Sequence, residues 1–136
     1  MLIFACRCAT APSDPIIRHS ILPTKALLFR FSALTFNAHL IHLDKSYTQQ
    51  HEGYRNLLVH GPLTLTLLLT ALQTHLRKLD LRIDSIEYKN LAPLFVEEQL
   101  TVCGKPKNDN GAWEVWIEGP DGGLAVRGTV QTSRLS

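Results

Sequence analysis

The sequence offers no apolar run long enough for a membrane. Its longest strongly apolar stretch, Leu63 to Leu72, is broken by Thr64, Thr66 and Thr70 and falls short of the roughly 20 residues that span a bilayer. Charge of either sign is also sparse. A formal net charge of +2, with the basic residues scattered, excludes a general nucleic-acid binder and points to a small partner held locally. Cysteine is limited to Cys6, Cys8 and Cys103, an odd number without metal-ligand spacing and without a conventional secretory signal. That usage fits a reducing compartment, in which Cys103 acts as a small buried residue. Acidic residues are missing before Asp14, and Arg7 is the one charge ahead of it. Such a start is compatible with a short organelle-targeting remnant and a mitochondrial, otherwise cytoplasmic, location.

What the chain does contain is ordinary for a single globular domain: 136 residues, 45% hydrophobic and 19% charged. Pro12, Pro15 and Pro23, with Ser13 and Asp14 between them, mark residues 1–24 as an irregular lead-in, leaving 25–136 as the domain. Leu27 to Phe31 is an apolar run suited to a strand, with Ser32 capping a brief helical turn after it. Gly61-Pro62 opens the clearest helix, which is leucine-rich to Leu79, apolar around most of its circumference at first, and closed by Arg77-Lys78.

The period then changes. Strand patterns start at Ile83 and continue to near Phe95-Val96, followed by 99–104, 113–117 and 124–130, with turns at 107–111 and 119–123. Trp113 and Trp116 are three apart in a strand and therefore face opposite sides, as packing residues. One long helix followed by an antiparallel meander is an α+β pattern, a sheet wrapped around a helix.

Chemistry concentrates between Ser32 and Leu63. His39, His42, His60 and Asn37 fall just ahead of the helix start. Imidazole, with a pKa of about 6.5, suits proton transfer near neutrality. A free amide at a helix N-terminus stabilises negative charge on a carbonyl oxygen. A base and an oxyanion donor together indicate proton abstraction or hydration rather than redox chemistry, with no cofactor. His39-x-x-His42 lacks a third ligand at convincing spacing, so no metal is expected. Asp44 suits a helix cap, and His19, His51 and His75 suit the surface.

The run Leu34-Thr35-Phe36-Asn37-Ala38-His39-Leu40-Ile41-His42-Leu43-Asp44 resembles the hydratase motif of MaoC-like enzymes, L-T-G-D-x-N-P-L-H-x-D. It is closer still to the branch of mitochondrial 3-hydroxyacyl-thioester dehydratases and mesaconyl-CoA hydratase-like proteins. There the string reads F-S-A-L-T-F-N-x-H-R-I-H-Y-D, followed by E-G-Y and V-H-G-P-L, as in Glu52-Gly53-Tyr54 and Val59 to Leu63. The resemblance implies a single hot-dog fold and a lyase acting on a 2-enoyl or (R)-3-hydroxyacyl thioester of CoA or acyl carrier protein.

It also implies site residues. His42 falls on the catalytic histidine, Asn37 on the position of the wider family's aspartate, and Gly61 on the glycine whose amide polarises the thioester carbonyl. His39, Tyr54 and His60 are the substrate-side candidates, and His60 alternatively positions Gly61. Leu40 stands where the branch has arginine, which removes a contact to an anionic group. Two other readings share the fold. A hot-dog thioesterase is disfavoured because Leu63 to Leu76 holds no acidic residue, and a non-catalytic acyl-binding partner remains the alternative from another class. A lone hot dog leaves a sheet edge open, so a homodimer, or pairing with another hot-dog half, is expected.

Overall fold

Leucines at helical spacing draw the centre of the molecule together. In the computed structural model, which describes residues 9–136, they form helix α3 (Gly61–Arg77), with Pro62 in its first turn. Leu63, Leu68, Leu72 and Leu76 are almost completely buried along one broad face. The sequence predicts burial on several sides, but Thr66, Thr70 and Thr74 make an exposed stripe. Each of their hydroxyls donates to the carbonyl four residues back, which satisfies it without a tertiary partner.

Around α3 curls a five-stranded sheet of β1 (Ile17–Ile21), β2 (Leu81–Asn90), β3 (Leu100–Pro106), β4 (Ala112–Glu118) and β5 (Leu124–Arg134). The strand order is β1-β3-β4-β5-β2, with every neighbouring pair antiparallel. Period-two alternation sends Val102, Trp113, Val115, Ile117 and Val130 into the core with α3. Cys103, Trp116 and Leu124 form a second cluster on the other face, so the two tryptophans do face opposite sides. The Trp116 indole donates to Glu118 at 2.9 Å, and Arg18 donates to the same carboxylate at 3.2 Å. Burial, and then the Glu118 charge, push the Cys103 thiol up to about 11, so it is an inert thiol. This α+β arrangement, one long helix gripped by an antiparallel sheet, is the hot-dog fold.

Three elements differ from expectation. Leu27 to Phe31 is not a strand but part of helix α1 (Lys25–Thr35). Thr24 caps it by accepting from the Leu27 amide at 3.1 Å, an interaction of about 1 kcal/mol. Leu28 and Ser32, four apart, face inward while Phe29 and Arg30 face solvent, so Ser32 lies inside the helix instead of capping a turn. Strand β1 falls within residues 1–24, where the prolines signal irregular chain. Pro15 and Pro23 bracket the strand and do not interrupt it. Residues before β1 also pack: Ala11 lies on the outer cluster and the Ser13 carbonyl accepts from Lys105 at 2.7 Å. Cys6, Arg7 and Cys8 lie outside the described residues.

The third difference positions the site. Strand β2 ends at Asn90, short of Phe95. Residues 94–96 instead pair with 57–59: the Val59 amide donates to Leu94 at 2.8 Å and the Val96 amide to Leu57 at 3.0 Å. On its other side the Leu58 amide donates to Ile41 at 2.9 Å. The histidine-bearing loop is thereby tied to the chain that leads into α3.

Candidate active site

His42 ends a short 3-10 turn (Leu40–His42) begun by His39, whose Nδ1 accepts from the Ile41 amide at 3.3 Å. Asp44 then caps helix α2 (Lys45–Gln50), as its spacing predicts, accepting from the Tyr47 amide at 2.9 Å. These two local caps turn the His42 side chain inward, where it is 8% exposed. Its Nδ1 lies 2.7 Å from the Leu58 carbonyl oxygen. A carbonyl only accepts, so Nδ1 carries the proton and the neutral ring presents Nε2 as a lone pair. Burial lowers the His42 pKa from 6.5, the Leu58 bond works against that shift, and His39 adds to it. At neutral pH the ring is a free base.

Behind it lies His60, stacked at 3.7 Å between ring centroids and 18° between planes. His60 is 1% exposed, its Nε2 is 2.7 Å from the Ser32 hydroxyl, and Phe31 meets it edge-on at 4.9 Å. Its Nδ1 is buried without a partner. Burial, then the neighbouring His42, lower its pKa to about 4. The pair thus favours two neutral rings, with His60 as a rigid backing for His42. A pH effect on stability follows. The unfolded chain takes up a proton at His60 below about pH 6.5, whereas the folded protein resists down to about 4, so stability is lost on acidification through that window. At about 1.4 kcal/mol per pH unit this amounts to on the order of 3 kcal/mol. Urea unfolding at several pH values should show that fall, and His60→Asn should flatten it between pH 6.5 and 5.

Immediately after His60, Gly61 begins α3. The first amides of a helix have no intrahelical acceptor, and the Gly61 N–H has no backbone partner among the described residues. Gly61 lines a cavity of about 340 Å³ with Tyr54, Val59, Thr64, Asn90, Leu94 and Val126, among others. His42 is one step from this space: it stacks on the residue before Gly61 and bonds to the residue before Val59.

The predicted residues therefore do not all gather at one point. His42, His60 and Gly61 adjoin, and Tyr54 is on the cavity wall. His60 is too enclosed to meet a substrate there, so it backs His42 instead of lining the cavity. His39 is exposed, with its ring 6.2 Å from that of His42. Asn37 lies in a separate apolar groove with Phe29, Phe36 and Leu43, and its Oδ1 accepts from the His39 amide at 3.1 Å. Leu40 is 43% exposed at the start of the turn. Sequence reasoning missed Asn90, because nothing but the folded β2 brings it beside Gly61. Among the described residues, no group of three or more His, Cys, Asp or Glu is placed to hold a metal ion. Among the described residues, no helix is long and apolar enough to cross a membrane.

Comparison with known proteins bears on the family and the fold. The mesaconyl-C(4)-CoA hydratase of Chloroflexus aurantiacus is 40% identical over 120 residues, covering 88% of this chain and 41% of the relative. The mitochondrial hydroxyacyl-thioester dehydratase type 2 of Schizosaccharomyces pombe is 36% identical over 96 residues, 69% of this chain and 32% of its own length. The chain thus spans about two fifths or less of these relatives. Among solved structures, the (R)-hydratase from A. caviae superposes with a TM-score of 0.75 at 21% identity, over 93% of this chain and 99% of that one, which shows the fold. The profile of the family described as hydroxyacyl-thioester dehydratase type 2 matches residues 6–96, and the chain belongs to that family.

Proposed function

We propose that this protein is a lyase that reversibly adds water to a 2-enoyl thioester, forming the (R)-3-hydroxyacyl thioester of CoA or acyl carrier protein. One observation carries the reading: a neutral histidine, with Nδ1–H fixed on the Leu58 carbonyl, stacks on the residue that precedes an unpartnered helix-start amide lining a cavity. In the dehydrating direction His42 Nε2 takes the proton from C2, and the electron pair moves into the thioester carbonyl. The Gly61 N–H stabilises the resulting enolate oxygen. The pair then returns to form the C2–C3 double bond as the C3–O bond breaks, and the proton on His42 leaves with the hydroxyl as water. One histidine serves as base and then acid, so no second ionisable group is needed where Asn37 replaces the wider family's aspartate. Asn37 acts by holding the loop that carries His39, and its amide NH₂ remains available for a water.

Thioester hydrolysis is the weaker reading, since α3 carries no acidic side chain in its first turn. For partners, the open edge of β2 and the exposed Phe29, Leu34 and Phe36 favour a homodimer or pairing with another hot-dog half. The names of the yeast relatives favour a mitochondrial site of action. The direct test is a spectrophotometric assay with crotonyl-CoA and longer trans-2-enoyl-CoAs. Loss of the enoyl absorbance without release of free thiol is the expected result, and thiol release in step with absorbance loss would contradict it.

A further inference from the structure

We infer that Asn90 is a second hydrogen-bond donor to the thioester carbonyl, opposite the Gly61 amide; this rests on the reading of the cavity as an acyl-thioester site. Asn90 ends β2, where asparagine is a poor strand former and adds little to the sheet. Its backbone is held by pairing with Val126, and the following Leu91 amide donates to Ala125 at 2.8 Å. The side chain is thus free of structural duty. It is exposed and makes no hydrogen bond within the described residues. It nevertheless lies close to the site: a methyl group built on Gly61 would be 3.5 Å from Asn90 Nδ2. Both residues line the same cavity, one from the helix start and one from the strand end.

A carbonyl oxygen has two lone pairs, and a single amide satisfies one of them. The second becomes more demanding as the oxygen gains charge in the enolate. A carboxamide N–H from the facing wall meets that demand, and it strengthens with the charge. Asn90 accordingly favours the charged state over the ground state, so its loss appears in kcat more than in KM.

The test compares wild type with Asn90→Ala and Asn90→Asp in turnover of crotonyl-CoA and in binding of butyryl-CoA against its thioether analogue S-butyl-CoA, which lacks the carbonyl. Expected are a loss of about 100-fold in kcat for the alanine variant, a larger loss for aspartate, which accepts but does not donate, and an unchanged melting midpoint. Wild type should bind the thioester more tightly than the thioether, and Asn90→Ala should reduce that preference by less than it reduces kcat, since the Gly61 amide remains. Normal kcat and preference in Asn90→Ala would overturn the role of Asn90 while leaving the hydratase reading in place. A wild type that does not hydrate, but whose carbonyl preference falls on Asn90→Ala, would sink the reaction and support the site. Wild type without any carbonyl preference would overturn the inference itself.

Discussion

His42→Ala should lower the rate of enoyl-thioester hydration about 1,000-fold with little change in KM or in melting midpoint. The size follows from the proposed role, in which His42 both removes and returns the proton, and neither neighbouring histidine is placed to substitute. His60 is stacked behind it and tied to Ser32, and His39 is exposed with its ring 6.2 Å away. The variant leaves the Leu58 carbonyl without its donor, but that segment stays anchored through Leu57, Leu58 and Val59 to residues 94–96 and Ile41. A milder effect is expected at Asn37, whose side chain supports the His39 backbone from a different groove. Steady-state kinetics with thermal denaturation of the same preparations separates loss of chemistry from loss of fold. A His42→Ala protein retaining a tenth of the activity would remove His42 from the proton path.

Gly61→Ala should separate activity from stability. The residue is helical, and an added methyl meets its nearest neighbour, Asn90 Nδ2, at 3.5 Å, an ordinary contact. Alanine costs less backbone entropy than glycine in a helix, by up to about 1 kcal/mol, and crowding of its side chain by the Pro62 ring offsets that gain. The variant should therefore fold about as well as wild type. The methyl, however, would stand 3.5 Å from Asn90 Nδ2, in the space where the proposed site receives the thioester oxygen. A loss of about 100-fold in kcat/KM is expected, read by the enoyl assay beside urea unfolding. A destabilised variant would mean that glycine is there for packing, and a stable, fully active one would mean that the carbonyl binds elsewhere.

Much of the fold was legible because its signals were local. The leucine repeat of α3 and the Gly-rich turns around β4 and β5 are each contained in a short window, and alternation placed Trp113 and Trp116 on opposite faces. Elements whose identity is decided by partners were not legible. Leu27 to Phe31 suits a strand by composition, and it becomes helix because Thr24 caps it and Leu28 and Ser32 need one common inward face. Strand β1 is short and lies between prolines, and pairing with β3 is what stabilises it. In the site, the resemblance pointed to His42 and Gly61, which the fold brings near one another. It placed Asn37 on a catalytic position and His60 on the substrate side or behind Gly61; the fold sets Asn37 in a separate groove and buries His60 against His42. Burial of His60 and the approach of Asn90 to Gly61 are through-space facts that no spacing in the sequence encodes.

The central claim is that His42 exchanges a proton at C2 of a bound acyl thioester. Its most direct test is proton NMR of (R)-3-hydroxybutyryl-CoA incubated with the protein in D₂O. The account predicts deuterium at C2 with wild type, none above background with His42→Ala, and an intact thioester throughout. Wild type that leaves C2 fully protonated, or a His42→Ala variant that exchanges at the wild-type rate, would contradict it.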